Sequence, residues 1–191
     1  MTAPREKHMV ELVDDNGRPV GATTVEEAHT APGRLHRAFS VVLTDDSGRL
    51  LLQRRASVKT RFPDRLANAC CGHPAPGETL SIAAIRRLRE EIGLGPVALS
   101  EVGVYVYYAE DPVTKRVEFE YDHVLHGRIE ANEPLLPDPD EVSDLVWVAR
   151  DELLESMRTS PRSYSPWLAG VVNRLFDHEK SKTSAERPGG G

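Results

Sequence analysis

Apolar and polar residues alternate through "MVELVD" and "PVGATTV", and the "DNGR" between them holds Asn16-Gly17, a pair that tolerates positive φ. Residues 9 to 25 are therefore predicted to form a hairpin. The same period of two, rich in β-branched residues, runs through "HRAFSVVLT" and "RLLLQRR" and predicts a second hairpin around "DDSG". At residue 79 the period lengthens. In "TLSIAAIRRLREEI", residues 79 to 92, Ala84, Leu88 and Ile92 recur every four positions with Ile85 beside them. Thr79 suits the N-cap and Gly93 the C-terminal stop, so this stretch is predicted to be a helix. "EVGVYVYY" and "VEFEYDHVLHGRI" return to the strand pattern, "DLVWVA" gives a shorter strand and "RDELLESM" a short helix. Ser165-Pro166 opens a last helix whose apolar face, Leu168, Val171, Val172, Leu175 and Phe176, carries it to about Glu179. The "KSKTSAERPGGG" that follows, residues 180 to 191, has nothing to bury and is expected to be disordered, as residues 1 to 8 are expected to be flexible. With no internal repeat and no linker, residues 9 to 179 read as one domain.

Composition changes the picture by exclusion. A chain of 191 residues with 39% hydrophobic and 28% charged content can bury one sizeable core. Its net charge of -6 argues against general nucleic-acid binding, so any bound anion must be small and locally held. No apolar run approaches a membrane span, and residues 1 to 8 carry charges where a signal peptide is apolar, so a cytoplasmic location is expected. The only two cysteines, Cys70 and Cys71, are neighbours and cannot staple distant segments. That leaves "NACCGHPAPGE" open as a redox pair, a metal site, a catalytic thiol or an ordinary loop.

Spacing supplies the first chemistry. Gly72, Glu78, Arg86, Arg87, Glu90, Glu91, Gly93 and Leu94 follow G-x5-E-x7-R-E-x2-E-E-x-G-U, where U is aliphatic, apart from one position. This resembles the Nudix box, whose loop and helix present carboxylates that hold hard divalent cations against a diphosphate. Read without the resemblance, Arg86 with Glu90 and Arg87 with Glu91 are i,i+4 pairs on a solvated helix face. The departure is Arg87, a cation where Nudix hydrolases carry a metal-binding glutamate.

That departure, with the "CCGHP" segment, resembles the type I isopentenyl-diphosphate isomerases of the Nudix superfamily over roughly residues 9 to 178. The supporting blocks, in order, are "AHT", "RLHRAFS", "QRRASVK", "CCGHP", "VEFEYDH" and "SPW". The resemblance implies an α+β Nudix fold with mixed β-sheets flanked by helices as an α/β/α sandwich. It also implies a metal centre at His29, His36, His73, Glu118 and Glu120, holding Mn2+, Mg2+ or Zn2+. Residue chemistry agrees: Glu118 and Glu120 are two apart on a predicted strand and share a face, and imidazoles favour a transition metal. A second Mg2+ is implied at Glu91 with the backbone oxygen of Cys71, and diphosphate contacts at Arg55, Lys59 and Arg87, with Arg86 adjacent. The family's lysine four residues before the first histidine is Val25 here, so another group, such as Arg34, would supply that contact.

The implied reaction turns isopentenyl diphosphate into dimethylallyl diphosphate. Cys71 and Glu120 are its acid and base, Tyr108 assists, and Trp167 faces the carbocation. The thiol's ordinary pKa near ~8.5 suits such a carrier, while Cys70 is expected to be buried and structural. A monomer or weak dimer is expected. The other readings are a Nudix hydrolase acting on a nucleoside diphosphate derivative, against which Arg87 counts, and a noncatalytic metal or nucleotide binding module.

Overall fold

The alternating segments assemble into one mixed sheet built outward from a single central strand. A computed structural model describes residues 3–185 of the chain. Strands β1 (Met9–Val13) and β2 (Pro19–Thr24) form the first predicted hairpin, with Met9 opposite Thr24. Gly17 in its turn has φ 75°, and a Cβ there would stand 2.6 Å from the Tyr121 ring, so the position requires glycine twice over.

The second pair, β3 (His36–Thr44) and β4 (Leu50–Arg55), touches only at Leu43–Leu51 and Thr44–Leu50 and then diverges. Divergence frees the rest of that β3 edge for other partners, and the opposite edge is open along its whole length. On the latter it takes β8 (Val117–Arg128) in parallel, from His36 opposite Glu120 to Thr44 opposite Arg128. On Phe39 to Val41 it takes the short β6 (Cys70–Gly72). Every β3 residue but Arg37 is buried, the pattern of a parallel strand covered on both faces. Strand β4 pairs with β5 (Leu66–Asn68) and β9 (Val142–Val148), while β7 (Ser100–Glu110) runs antiparallel to β8. Strands β5 and β6 have three residues each, too few to show alternation, and were not predicted.

The helices are α1 (Ala3–Glu6), α2 (Val25–Ala28), α3 (Leu80–Ile92), α4 (Arg150–Thr159) and α5 (Leu168–Ala185). Helix α3 ends as predicted, with Gly93 left-handed at φ 68°. It covers one face of the sheet, burying Ala84, Leu88 and Ile92 against Phe39, Val41 and Leu43. Helices α4 and α5 cover the other, with Leu153, Leu168, Val171 and Leu175 against Val42, Leu50 and Leu52. Each such side chain contributes about 1.5–3 kcal/mol by leaving water, which makes the α/β/α layering the expected result of the three apolar surfaces.

Two terminal expectations change. Residues 3 to 6, expected to be flexible, form a helical turn because Glu6 accepts hydrogen bonds from Thr60 Oγ1 and Arg61 Nη1, both at 3.0 Å. Helix α5 continues past Glu179 to Ala185, where Ser181, Thr183 and Ser184 hydroxyls donate to carbonyls one turn back. A polar helix needs no buried face to extend by a turn and a half. Residues 186 to 191 of the tail expected to be disordered lie outside the described residues.

Candidate active site

Three imidazoles meet because three separate elements end at one place. His29 caps α2, His36 opens β3 and His73 directly follows β6, while the parallel register sets Glu120 beside His36. The ring centroids of His29, His36 and His73 lie 4.6 to 5.1 Å apart. Ligating atoms of these three and Glu120 all fall within 4.8 Å of one another. His29 Nδ1 lies 2.7 Å from the Val25 carbonyl and His36 Nδ1 2.7 Å from the Arg34 carbonyl. A carbonyl only accepts, so both Nδ1 atoms carry hydrogen, and each ring, when neutral, turns a lone pair inward at Nε2. Those two Nε2 atoms are buried without a hydrogen-bond partner, a costly state that a metal ion relieves. The donor set thus fits a divalent cation.

Glu118 is beside this group: its Oε2 is 2.9 Å from His29 Nε2, at ion-pair distance but without hydrogen-bond geometry, and its Oε1 accepts from Arg61 Nε at 3.0 Å. Burial opposes ionisation of both glutamates, but the imidazole and guanidinium partners hold them below the usual carboxylate range. Burial also opposes a charged His29, yet Glu118 outweighs it and raises the group to about 9. At His73 burial wins and lowers it to about 4. Arg61 was missed in the sequence because a charged residue in an irregular loop has no signature.

Cys71 and Trp167 line one cavity of about 530 Å³ with Glu118 and Glu120. The cysteines separate as expected, Cys70 wholly buried among α3 side chains and Cys71 facing the cavity. Burial, reinforced by the Asp122 carboxylate, pushes the Cys71 thiol up to about 12, well above the value its free side chain suggests, so it rests neutral.

Tyr108 is not brought to the site. It stands opposite Phe119, makes an edge contact to that ring at 5.6 Å and is 53% exposed. Tyr107 takes its place, standing opposite Glu120 and donating to its Oε2 at 2.6 Å. Adjacent strand residues face opposite ways, so one of the two tyrosines had to point inward, and only the β7–β8 register decides which. Burial and the nearby carboxylates raise the Tyr107 phenol well above its usual range, keeping it a donor. Beside Trp167, the ring of Phe62 packs edge-on at 5.6 Å. Phe62 has φ 44°, a strained value for a large side chain, held by its N–H donating to Asp111 Oδ2 at 2.6 Å.

The other wall of the cavity is cationic. Arg55, Lys59, Arg86 and Arg87 all line it, and α1 adds Arg5. Arg34 is exposed and outside it, whereas Val25 lines it, and Arg5 and Arg61 are further arginines on the cavity wall. Arg55 donates to the carbonyls of Phe62 and Arg61 and lies 5.3 Å from the Trp167 ring centroid. Arg86 bonds Glu78 at the rim, and Lys59 and Arg87 converge on the buried Glu141, a counter-charge that sequence reasoning missed. Glu91 is also buried, with Arg87 on Oε1 and Gln53 on Oε2, so a cation there needs one of them to turn aside.

Comparison with known proteins fits this arrangement. The NUDIX domain family matches residues 34–168. An isopentenyl-diphosphate Delta-isomerase of Nocardia farcinica is 55% identical over 163 residues, 85% of this chain and 91% of the relative. Another, from Streptomyces griseus, is 46% identical over 168 residues, 88% of this chain and 83% of the relative. Among solved structures, DR0079 from Deinococcus radiodurans superposes with a TM-score of 0.71 at 22% identity, covering 87% of this chain and 98% of that one. The MutT protein of Methanosarcina mazei gives 0.56 at 16% identity, covering 80% and 96%. Both structures speak to the fold alone.

Proposed function

The chain belongs to the Nudix family, in its isopentenyl-diphosphate isomerase branch, and on that premise we propose that it converts isopentenyl diphosphate into dimethylallyl diphosphate. The carrying observation is that a thiol and a carboxylate, Cys71 and Glu120, line one cavity together with Arg55, Lys59, Arg86 and Arg87. Arg55, Lys59, Arg86 and Arg87, with Arg5, hold the diphosphate as a leaving group that must not leave, because guanidinium forks bind its oxygens without activating water. The five-carbon chain then reaches inward between Cys71 and Glu120. One of these groups gives a proton to the terminal alkene carbon and the other takes one from C2, so the composition is unchanged. Tyr107 keeps Glu120 oriented through its hydrogen bond. The Trp167 face stabilises the tertiary cation by roughly 1–2 kcal/mol and offers it no nucleophile.

His29, His36, His73 and Glu120, with Glu118 alongside, would hold Mn2+, Mg2+ or Zn2+, and a bound cation supplies positive charge that fixes the carboxyl groups and tunes their proton affinity. A second Mg2+ would accompany the diphosphate near Glu91 and the Cys71 backbone oxygen. The test is turnover in heavy water with Mg2+ and isopentenyl diphosphate. Recovered allylic diphosphate should carry deuterium from solvent. Release of phosphate with no deuterium in the organic product would instead establish a hydrolase.

A further inference from the structure

Between the thiol and the indole lies a residue that neither the box nor the ligand set accounts for. Asn68 ends β5 with its side chain buried. Its Nδ2 donates to the carbonyls of Cys70 at 2.8 Å and Val41 at 3.2 Å. Its Oδ1 accepts from Trp167 Nε1 at 3.1 Å. An indole N–H only donates and a carbonyl only accepts, so these three partners fix which way the amide faces. The Cys71 sulfur touches both ends of this fixed amide, 3.3 Å from Oδ1 and 3.2 Å from Nδ2.

The other neighbour of the sulfur is Ser40 Oγ at 3.5 Å, whose hydroxyl donates to Asp122 Oδ2 at 2.7 Å. In this arrangement the Ser40 hydrogen lies on Asp122 rather than on the sulfur. Asn68 Oδ1 takes the S–H hydrogen bond, while its two Nδ2 hydrogens, engaged by the Cys70 and Val41 carbonyls, hold that oxygen in place. Both the proton carrier and the cation-facing ring are thereby tied to one oxygen atom.

We propose that Asn68 is a positioning residue for the reaction, its buried amide holding the Cys71 sulfur and the Trp167 ring in fixed relation across the cavity. The inference rests on the proposed isomerase reading. The Asn68 side-chain hydrogen bonds go to Cys70, Val41, Cys71 and Trp167 and not to the cations that would hold the diphosphate, so its removal should act on turnover and leave substrate binding alone. In the full-length, metal-loaded protein, Asn68→Ala should lower kcat at least ~10-fold with KM changed less than ~3-fold, as displacement of a proton carrier predicts. Labelled at the indole nitrogens, the protein has two tryptophans, Trp147 and Trp167. One indole N–H resonance should shift and exchange faster with water in Asn68→Ala, while the other stays.

Trp167→Phe keeps a ring and removes the donor. It serves as the second arm should Asn68→Ala not fold, and a kcat loss at steady KM is expected there too. Where both fold, the double variant should lose less than the sum of the two single losses, because both remove the Asn68–Trp167 link. A folded Asn68→Ala with turnover within twofold of the parent would overturn the inference, as would a raised KM at unchanged kcat, an unmoved indole resonance, or fully additive losses. Failure of the isomerase reading looks different: the parent protein itself would make no allylic product.

Discussion

At the scale of single residues, adjacent pairs carry the sharpest contrasts, because neighbours on a strand face opposite sides of the sheet. Cys71→Ala should cost at least ~100-fold in turnover, the usual weight of a general acid or base. Cys70→Ala should stay within a few fold, since it removes only a small buried side chain from the α3 core. An epoxide carrying the diphosphate should label Cys71 alone by mass mapping, and a label on Cys70 would reverse the assignment. The tyrosines should behave the same way. Tyr107→Phe removes the hydrogen bond to Glu120 and should lower kcat by ~10-fold or more, whereas Tyr108→Phe alters an exposed ring and should be silent. The ligand set could be named from the sequence only through the family resemblance, and the fold brings four of its members, His29, His36, His73 and Glu120, to one place. The tyrosine could not, because both candidates satisfy the same alternation. Glu141 and Asn68 were silent for another reason: a glutamate in a loop and an asparagine two residues before a cysteine acquire meaning only from what folds against them.

Among elements, the seating of α5 on β7 links packing to chemistry. A Cβ on Gly170 would stand 2.1 Å from the Tyr105 ring, and that ring stacks on Tyr107 with centroids 5.4 Å apart. Tyr105 therefore cannot retreat without pressing on the phenol that orients Glu120. Gly170→Ala should destabilise the protein by about 1–3 kcal/mol, the usual cost of overpacking, or several degrees in Tm. It should also lower kcat below the melting range, because α5 begins beside Trp167. Thermal melts and steady-state rates at one low temperature separate the two effects, and a stable variant with normal rates would show that the helix simply lifts away. The long elements were all readable from periodicity. What escaped were β5 and β6, whose three residues are strands only by virtue of their partners, and the parallel pairing of β3 with β8, since no local pattern announces a neighbour so far along the chain.

For the whole molecule, the buried metal site joins stability to pH. Although burial opposes it, Glu118 raises His29 from 6.5 to about 9 in the metal-free protein. A raised folded value means that this ion pair stabilises the fold fully below pH 6.5 and loses its contribution as pH climbs through about 9. A cation needs the same ring neutral, so its binding runs the other way. With a chelator present, Tm should decline from pH 6.5 toward 9, and the gain in Tm on adding Mn2+ should widen over the same interval. His29→Gln should flatten both trends, and a metal-induced gain that shrinks with pH would contradict them. The parallel β3–β8 pairing has a consequence in time as well as in space. Ser40 and Asp122, bonded across it, lie 82 residues apart in sequence, and His36 meets Glu120 through the same ladder. Contacts between such distant segments form slowly, because a long loop must close before any bond rewards it. During synthesis the three histidines emerge well before Glu120, so an early cation would find imidazoles without their carboxylate, and the finished centre must await the strand that completes the sheet.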